Sequence, residues 1–597
     1  SPDGEVLALV TMATDDEEDD GEIVNDKDPQ TKVPILMTMN TQYEILSEVR
    51  LDRCLFPSPS DNADCTPLDP NSISLCWRPD SSSLAISTMD ANVNNKPLRR
   101  IRTYHRSTLQ ILSLSKEEDG SGRDVPNLLP VAPTWAPAGC SHYVGAVQSS
   151  RPLNAKSARA RQVSLQVAFM EPNGLRHREC KIHDGVDVTS IAFNLEGDLL
   201  AVASRVVPLN DISSDQKCQY GKLQFYHRSN YHWYLKYELR YDGNNSGSPA
   251  AVISTIKFSE EDPYQIMVAF DRRGQDEALE WRQYTFRWES STVHYRSSSA
   301  LAMAIDGKKL NFTNLDKAII PPPMYASSLE FPAPVVGITT RPCFYNEVAE
   351  DGRRVDFIIA LSDGKLALLQ SGGGSTNNGA FHPQSLLAIV DPFNTDTSNE
   401  IADTGDGLSL RGMALRDITI IDADEESLIV VAVSSCPKDQ SENHSAIDFL
   451  VEMKISLSSQ PDKSDGALTT SADVVVTSSF PLEGRALRIV NWSDTVYSAG
   501  GRGGALLQLT DGTLLEYSQG AGLEHCEAGP LLEPCPWIAG LFDANSDVTS
   551  TSSTTVGNGQ HETPKRLVVG LSSRYRLYCG ERLLSSASSS FIISPQH

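Results

Sequence analysis

Three stretches of this 597-residue chain repeat one figure: an apolar strand bearing an aromatic residue, a polar turn, and a second apolar strand. Ser74-Leu75-Cys76-Trp77 is followed by Arg78-Pro79-Asp80, three serines and Leu84-Ala85-Ile86-Ser87. Pro133-Thr134-Trp135 leads through Ala136 to Gly139 into Tyr143-Val144-Gly145-Ala146-Val147, and Ser190-Ile191-Ala192-Phe193 turns at Asn194 to Asp198 into Leu199-Leu200-Ala201-Val202. The anchors Trp77, Trp135 and Phe193 are spaced by 58 residues and then by 58 again. A looser copy has Ile256-Lys257-Phe258 and Ile266-Met267-Val268-Ala269. A third strand follows roughly 30 residues after each anchor: Ile101 to Ser107, Val167 to Met170, and Leu223 to Ser229. A small sheet of three or four short antiparallel strands cannot bury both faces alone, so its repetition is the signature of β-propeller blades stacked on one another.

WD40 blades typically run to roughly 40–45 residues, so a 58-residue period implies long insertions between strands. Three are visible: the acidic run Asp15 to Asp20, the stretch Lys116 to Asp124, and the basic stretch Arg151 to Arg161. Past residue 320 the spacing changes but the strand pattern persists. Phe357 to Leu361 and Lys365 to Leu369 flank Ser362-Asp363-Gly364, and Ala505 to Leu509 and Thr513 to Tyr517 flank Thr510-Asp511-Gly512. Asp-Gly between apolar runs supplies the positive φ that a tight hairpin demands. A last copy pairs Leu567 to Leu571 with Arg574 to Tyr578. The expected fold is therefore all-β, two tandem WD40-type β-propellers, over residues 1–318 and 319–597. The opening Ser1-Pro2-Asp3-Gly4 fits the turn of a copy whose first strand lies upstream, so the first propeller is expected to lack its N-terminal blades and the second to stop near its last ones. Pro321-Pro322-Pro323 cannot lie in a central strand, and the sequence casts it as the stiff passage from one propeller to the next.

Charge and cysteine usage narrow the function classes. Lys and Arg total 51 against 77 Asp and Glu, a formal charge of −26, which disfavours a broad grip on nucleic-acid phosphates. The longest aliphatic run, Leu428 to Val433, falls far short of the roughly 20 residues of a membrane helix, and no membrane partner is expected. Eleven scattered cysteines without a Cys-x-x-Cys pair argue against a disulfide framework or structural zinc and for a reducing compartment. Phosphate-loop, zinc-helix, nucleophile-elbow and EF-hand spacings do not occur. No catalytic, cofactor-binding or metal-ligating set is legible, and the expectation is a protein that is not an enzyme and needs no cofactor. His525-Cys526 near Cys535 matches no ligand spacing and reads as loop.

Two stretches are candidates for contact. Asn230-Tyr231-His232-Trp233-Tyr234-Leu235-Lys236 puts four ring-bearing residues in a row after a third strand. Trp and Tyr dominate partner-binding anchors, so Tyr231, His232, Trp233 and Tyr234 are candidate partner contacts; the competing reading packs their rings between blades. Arg151, Lys156, Arg159 and Arg161 are cations threaded by small residues, candidates for RNA or partner contact, although no aromatics interleave them. The acidic run Asp15 to Asp20 reads as a self-repelling loop.

Taken in order, Asn230 to Lys236, Ala304-Ile305-Asp306-Gly307, Pro321 to Met324 and Phe331-Pro332-Ala333-Pro334-Val335 resemble the largest subunit of the Elongator complex, the IKAP family. Val167 to Leu175 and Val568-Val569-Gly570-Leu571 are similar in the same order, so the resemblance runs over most of the chain. It implies a non-catalytic scaffold with two N-terminal WD40 propellers, followed in the family by a helical-repeat arm and a homodimerising region. It also implies partners: the radical-SAM acetyltransferase subunit that carries the chemistry, and a second WD40 subunit. The task of that complex is modification of the wobble uridine of tRNA, in the cytoplasm and also the nucleus, with tRNA met indirectly or through regions outside this chain. The chain has no Trp-Asp dipeptide, so its blades are degenerate copies. Other readings of the architecture are a propeller of a vesicle coat or transport adaptor, and a propeller-fold hydrolase or lyase.

Overall fold

The computed structural model describes residues 1–14, 32–51, 73–91, 97–115, 127–128, 131–137, 143–150, 164–183, 187–206, 220–242, 252–271, 280–285, 292–296, 299–315, 320, 323–341, 355–370, 385–393, 414–423, 427–435, 448–461, 468–491, 504–526, 529–542, 566–572 and 574–586. All the regular structure among them is strand, in ten antiparallel sheets whose strand order almost everywhere follows chain order. The chain separates into two compact units, Ser1–Trp233 with Ala250–Gln283, and Tyr234–Pro249 with Tyr284–His597.

In the first unit, the first sheet holds Val6–Thr14, Lys32–Asn40 and Ile45–Arg50. The second holds Ser74–Trp77, Ser83–Ala91, Pro97–His105 and Ile111–Leu114. Its middle strand shows why the repeat folds as it does. Successive side chains of a strand point to opposite faces. Leu84 and Ile86 pack toward Ala8, Leu36 and Leu51 of the first sheet, while Ala85 packs toward Trp135, Val144 and Ala168 of the third. Both faces are buried, so the strand needs apolar residues at consecutive positions instead of alternation. The anchor Trp135 also donates its indole N–H to the Cys76 carbonyl oxygen at 3.3 Å, joining the second sheet to the third, which is what an aromatic residue at a fixed period does in this fold.

The third sheet runs through Val144–Ser150, Ser164–Met170 and Arg176–Lys181, and the fourth through Asp187–Phe193, Leu199–Val206 and Tyr220–Ser229, with the strand His232–Asp242 after them, of which His232 and Trp233 belong to this unit. The first strands of successive sheets, Thr134–Trp135, Asp187–Phe193 and Val252–Phe258, lie beside one another, as the inner strands of propeller blades do.

The second unit repeats this arrangement. Val335–Thr340, Ala414–Ala423, Ala486–Asn491 and Trp537–Phe542 are the first strands of four consecutive sheets, each beside the next. In the central strand Gly504–Leu509, Ala505, Leu507 and Leu509 face Val431, Val433 and Leu450, while Leu506 faces Cys535, Ile538 and Val568. The Asp-Gly hairpins form as the sequence requires, with Gly364 at φ 84° and Gly512 at φ 93°. At Gly512 a Cβ would sit 2.5 Å from the Leu531 carbonyl oxygen, so the site excludes every side chain.

One expectation is corrected. The proline-bearing stretch does not pass from one unit to the other. Ser327–Glu330, which follows it, returns to pair with Lys309–Asn314, which precedes it, through the register Lys309↔Glu330 to Phe312↔Ser327. The division expected at 318 and 319 therefore falls inside one sheet, held together by backbone hydrogen bonds that a composition shift does not reveal.

Candidate partner-binding surface

The ring-bearing tract divides according to the geometry of its turn. Asn230 and Tyr231 close the last hairpin of the fourth sheet with φ of 47° and 65°. Two consecutive positive φ angles are the signature of a tight hairpin that favours Asn-Gly, and a tyrosine in the second place is strained. The turn leaves Tyr231 outside, 74% exposed, and sends the next residues into the sheet, with His232 half-buried. Trp233 is buried against Phe169 and Phe193, with ring centroids 5.5 Å and 6.1 Å away. The Arg228 guanidinium stands 5.9 Å over the Trp233 ring and donates to the Tyr143 hydroxyl at 2.8 Å. Trp233 is thus a core residue whose outer face is covered by a cation.

Tyr231 is held differently. The Arg178 guanidinium lies 4.4 Å from its ring centroid and donates to its backbone carbonyl oxygen at 3.0 Å. Ring and turn are fixed by one side chain from the neighbouring sheet, so the exposed aromatic is pre-organised. On the same strand Arg176 meets Glu179 and the His177 ring meets Glu171 at 2.9 Å, while Lys181 at the far end of the strand, like Arg178, has no carboxylate partner among the described residues.

Tyr234 and its neighbours belong to the second unit. Tyr234 is buried, which pushes its hydroxyl up to about 12, with Asp306 adding to the effect. Lys236 is buried as well, its ammonium 4.7 Å from the Tyr234 ring and donating to the Ile305 carbonyl oxygen at 2.8 Å. Burial pulls the Lys236 ammonium down to about 8, opposed by Asp306. The Gly307 N–H donates to Leu235 O at 2.8 Å, and the Ser362 hydroxyl to the buried Glu238 carboxylate at 3.2 Å. These contacts hold Leu235 to Glu238 within the second unit. Of the four candidate contacts, the structure presents Tyr231 to solvent and builds Trp233 and Tyr234 into the core.

Arg151, Lys156, Arg159 and Arg161 lie outside the described residues, as does Asp15 to Asp20. The strands flanking the basic stretch pair at Ser150↔Ser164, the end of the third sheet opposite Met170↔Arg176.

Other polar clusters stitch sheets together. In the second unit the fully buried Asp448 carboxylate accepts from Arg416, from Arg485 at 3.1 Å, from Ser435 Oγ at 3.0 Å and from the Ala486 N–H at 2.8 Å. Glu452 accepts from Tyr517 Oη and Thr477 Oγ1, and the Tyr517 hydroxyl is raised by burial and by that carboxylate. Burial acts to raise the Glu533 carboxyl, but hydrogen bonds from Tyr578 and Arg576 outweigh it and hold it below the usual range. Cys526 and Cys535 lie in the connections between strands, as the sequence suggested, and are buried there beside Leu506 and Leu514; burial with the nearby Glu533 lifts the Cys535 thiol to about 12. Among the described residues no three His, Cys, Asp or Glu side chains are placed to hold a metal ion, and no helix is long and apolar enough to cross a membrane.

Sheets stacked through their first strands, with charged networks spent on joining them, make this a tandem β-propeller repeat protein. Residues 1–260 match the family described as the ELP1 first N-terminal beta-propeller, and residues 304–597 the ELP1 N-terminal second beta-propeller. The chain belongs to the Elongator complex protein 1 family. It is 25% identical over 290 residues to Elongator complex protein 1 of Saccharomyces cerevisiae, covering 48% of this chain and 18% of that protein. The Schizosaccharomyces pombe protein of the same name is 25% identical over 383 residues, covering 64% of this chain and 26% of the relative. The Mus musculus protein is 26% identical over 277 residues, covering 45% and 18%. The matched stretches thus span about a quarter or less of these relatives.

Proposed function

We propose that this chain is a non-catalytic scaffold of the Elongator complex, whose two propellers organise partner subunits for modification of the tRNA wobble uridine. The observation that carries the reading is the match of both units, in order, to the two N-terminal propellers of that family. A radial frame whose ionic networks are used to join sheets offers rigid rims and turns for docking. The partners in this reading are the acetyltransferase subunit that performs the chemistry and a second WD40 subunit, in the cytoplasm and the nucleus. At a charge of −26 the chain is poorly suited to grip tRNA along its length, so tRNA is held mainly by partners or by regions beyond this chain. The test is depletion of the protein followed by mass spectrometry of tRNA anticodons. Loss of wobble-uridine modification, restored by re-expression, is the expected result. Unaltered tRNA, with the protein recovered on vesicle-coat components, refutes it.

A further inference from the structure

The turn that displays Tyr231 is more than the end of a hairpin. A tyrosine at φ 65° gives up the ease that a glycine would have there, and such strain persists where the surroundings over-determine it, as they do at ligand clamps. Here the surroundings are Arg178, which binds both the ring and the carbonyl of Tyr231. Among the described residues no carboxylate pairs with Arg178, although Arg176 and His177 on the same strand each have one. In a chain with 26 more acids than bases, Arg178 thus stands beside the exposed Tyr231 ring with no carboxylate partner among the described residues. Two apolar side chains are displayed on turns at the same end of these sheets. Leu175, 46% exposed, follows the Glu171–Gly174 turn, and Leu195, 52% exposed, lies in the Asn194–Asp198 turn, whose Asp198 carbonyl accepts the Arg228 N–H at 2.7 Å.

We propose that Tyr231, Arg178, Leu175 and Leu195 form a docking surface for a short segment of a partner protein that carries an acidic side chain flanked by apolar ones. The acid meets the Arg178 guanidinium, and the apolar residues cover the Tyr231 ring and the two leucines. Charge complementarity selects this occupant. The exposed leucines favour a protein over an RNA strand, and an extended polyanion would be repelled by the rest of the chain while a short acidic segment touches only this cation. Tyr and Arg are the side chains in which interface energy concentrates, and a ring already fixed loses little entropy on binding.

This inference rests on the scaffold reading, and the test separates the two. The full chain is mixed with the purified remaining subunits of the Elongator complex in the presence of tRNA, and affinity for the subunits is measured for the wild type, Tyr231→Gly and Arg178→Glu. Glycine adopts positive φ without strain, so Tyr231→Gly is expected to leave the melting temperature equal or higher while weakening assembly about tenfold or more. Arg178→Glu is expected to weaken it at least as much, with binding regained when an acidic residue of the partner segment, located by photo-crosslinking from position 231, is changed to lysine. Assembly of both variants with wild-type affinity overturns the inference and leaves the scaffold reading standing. Crosslinks from position 231 only to tRNA overturn it in favour of RNA contact. No assembly of the wild type refutes the scaffold reading itself.

Discussion

Asp448→Ala is the perturbation with the most calculable outcome. The carboxylate is fully buried and anchors four donors: the guanidinium groups of Arg416 and Arg485, the Ser435 hydroxyl and the Ala486 N–H. Arg485 is half exposed and rehydrates when its partner leaves, so its share is small. Arg416 is more enclosed and keeps only its bond to the Ala486 carbonyl at 3.2 Å, while the Ala486 N–H is orphaned. Removing one partner of a buried pair costs about 3–5 kcal/mol, and the exposure of Arg485 places this case toward the lower end. Unfolding of a two-unit chain is not described by one free energy, so the assay is native-state hydrogen exchange resolved by residue. Ala486 and Ile489 begin the first strand of the next sheet, and Ile489 is held by a neighbouring carboxylate, Asp417, at 2.8 Å. The variant should lower the opening free energy of Ala486 by about 3 kcal/mol, with Ile489 following and the first unit unchanged. A loss under about 1 kcal/mol at Ala486 would show that the carboxylate does not clamp these sheets.

Three further outcomes follow from the same reasoning. Gly512→Ala forces a Cβ to within 2.5 Å of a carbonyl at φ 93° and should cost more than about 2 kcal/mol, whereas Gly520→Ala, at φ 79° with nothing within 4 Å, should cost about 1 kcal/mol; thermal melts of the two variants compare them directly. Trp233→Ala empties a site between Phe169 and Phe193 and should destabilise the first unit by about 3–5 kcal/mol, read as lost exchange protection in Phe169 and Phe193. Lys236 has a folded pKa of about 8 against an ordinary 10.5, so the unfolded chain binds more protons between those values and stability should rise with pH across that window. The rise should be absent in Lys236→Met, and parallel pH profiles of the two proteins would contradict the assignment.

The strands and their hairpins were legible because they depend on local rules. Consecutive apolar residues such as Leu84 to Ile86 mark strands buried on both faces, and Asp511-Gly512 can close only a tight turn. The prolines misled because they mark where a strand cannot run, not where the chain returns; only the pairing of Ser327–Glu330 with Lys309–Asn314 settles that. Cys526 and Cys535 lie in stretches with weak periodicity, and their burial arises from Leu506 and Leu514 packing over them. In the aromatic tract, alternation along a strand places only every second ring on one face, and the positive φ of Asn230 and Tyr231 decides which ring stays outside. Arg178 could not be found from spacing, since it reaches Tyr231 from another sheet across 53 residues of chain.

The scaffold account is tested most directly by mixing the purified chain with the acetyltransferase subunit and following their association by light scattering. The account predicts a defined complex at fixed stoichiometry in which the acetyltransferase alone carries activity. A chain that stays free at micromolar concentrations of every Elongator subunit, or that shows catalytic turnover by itself, would contradict it.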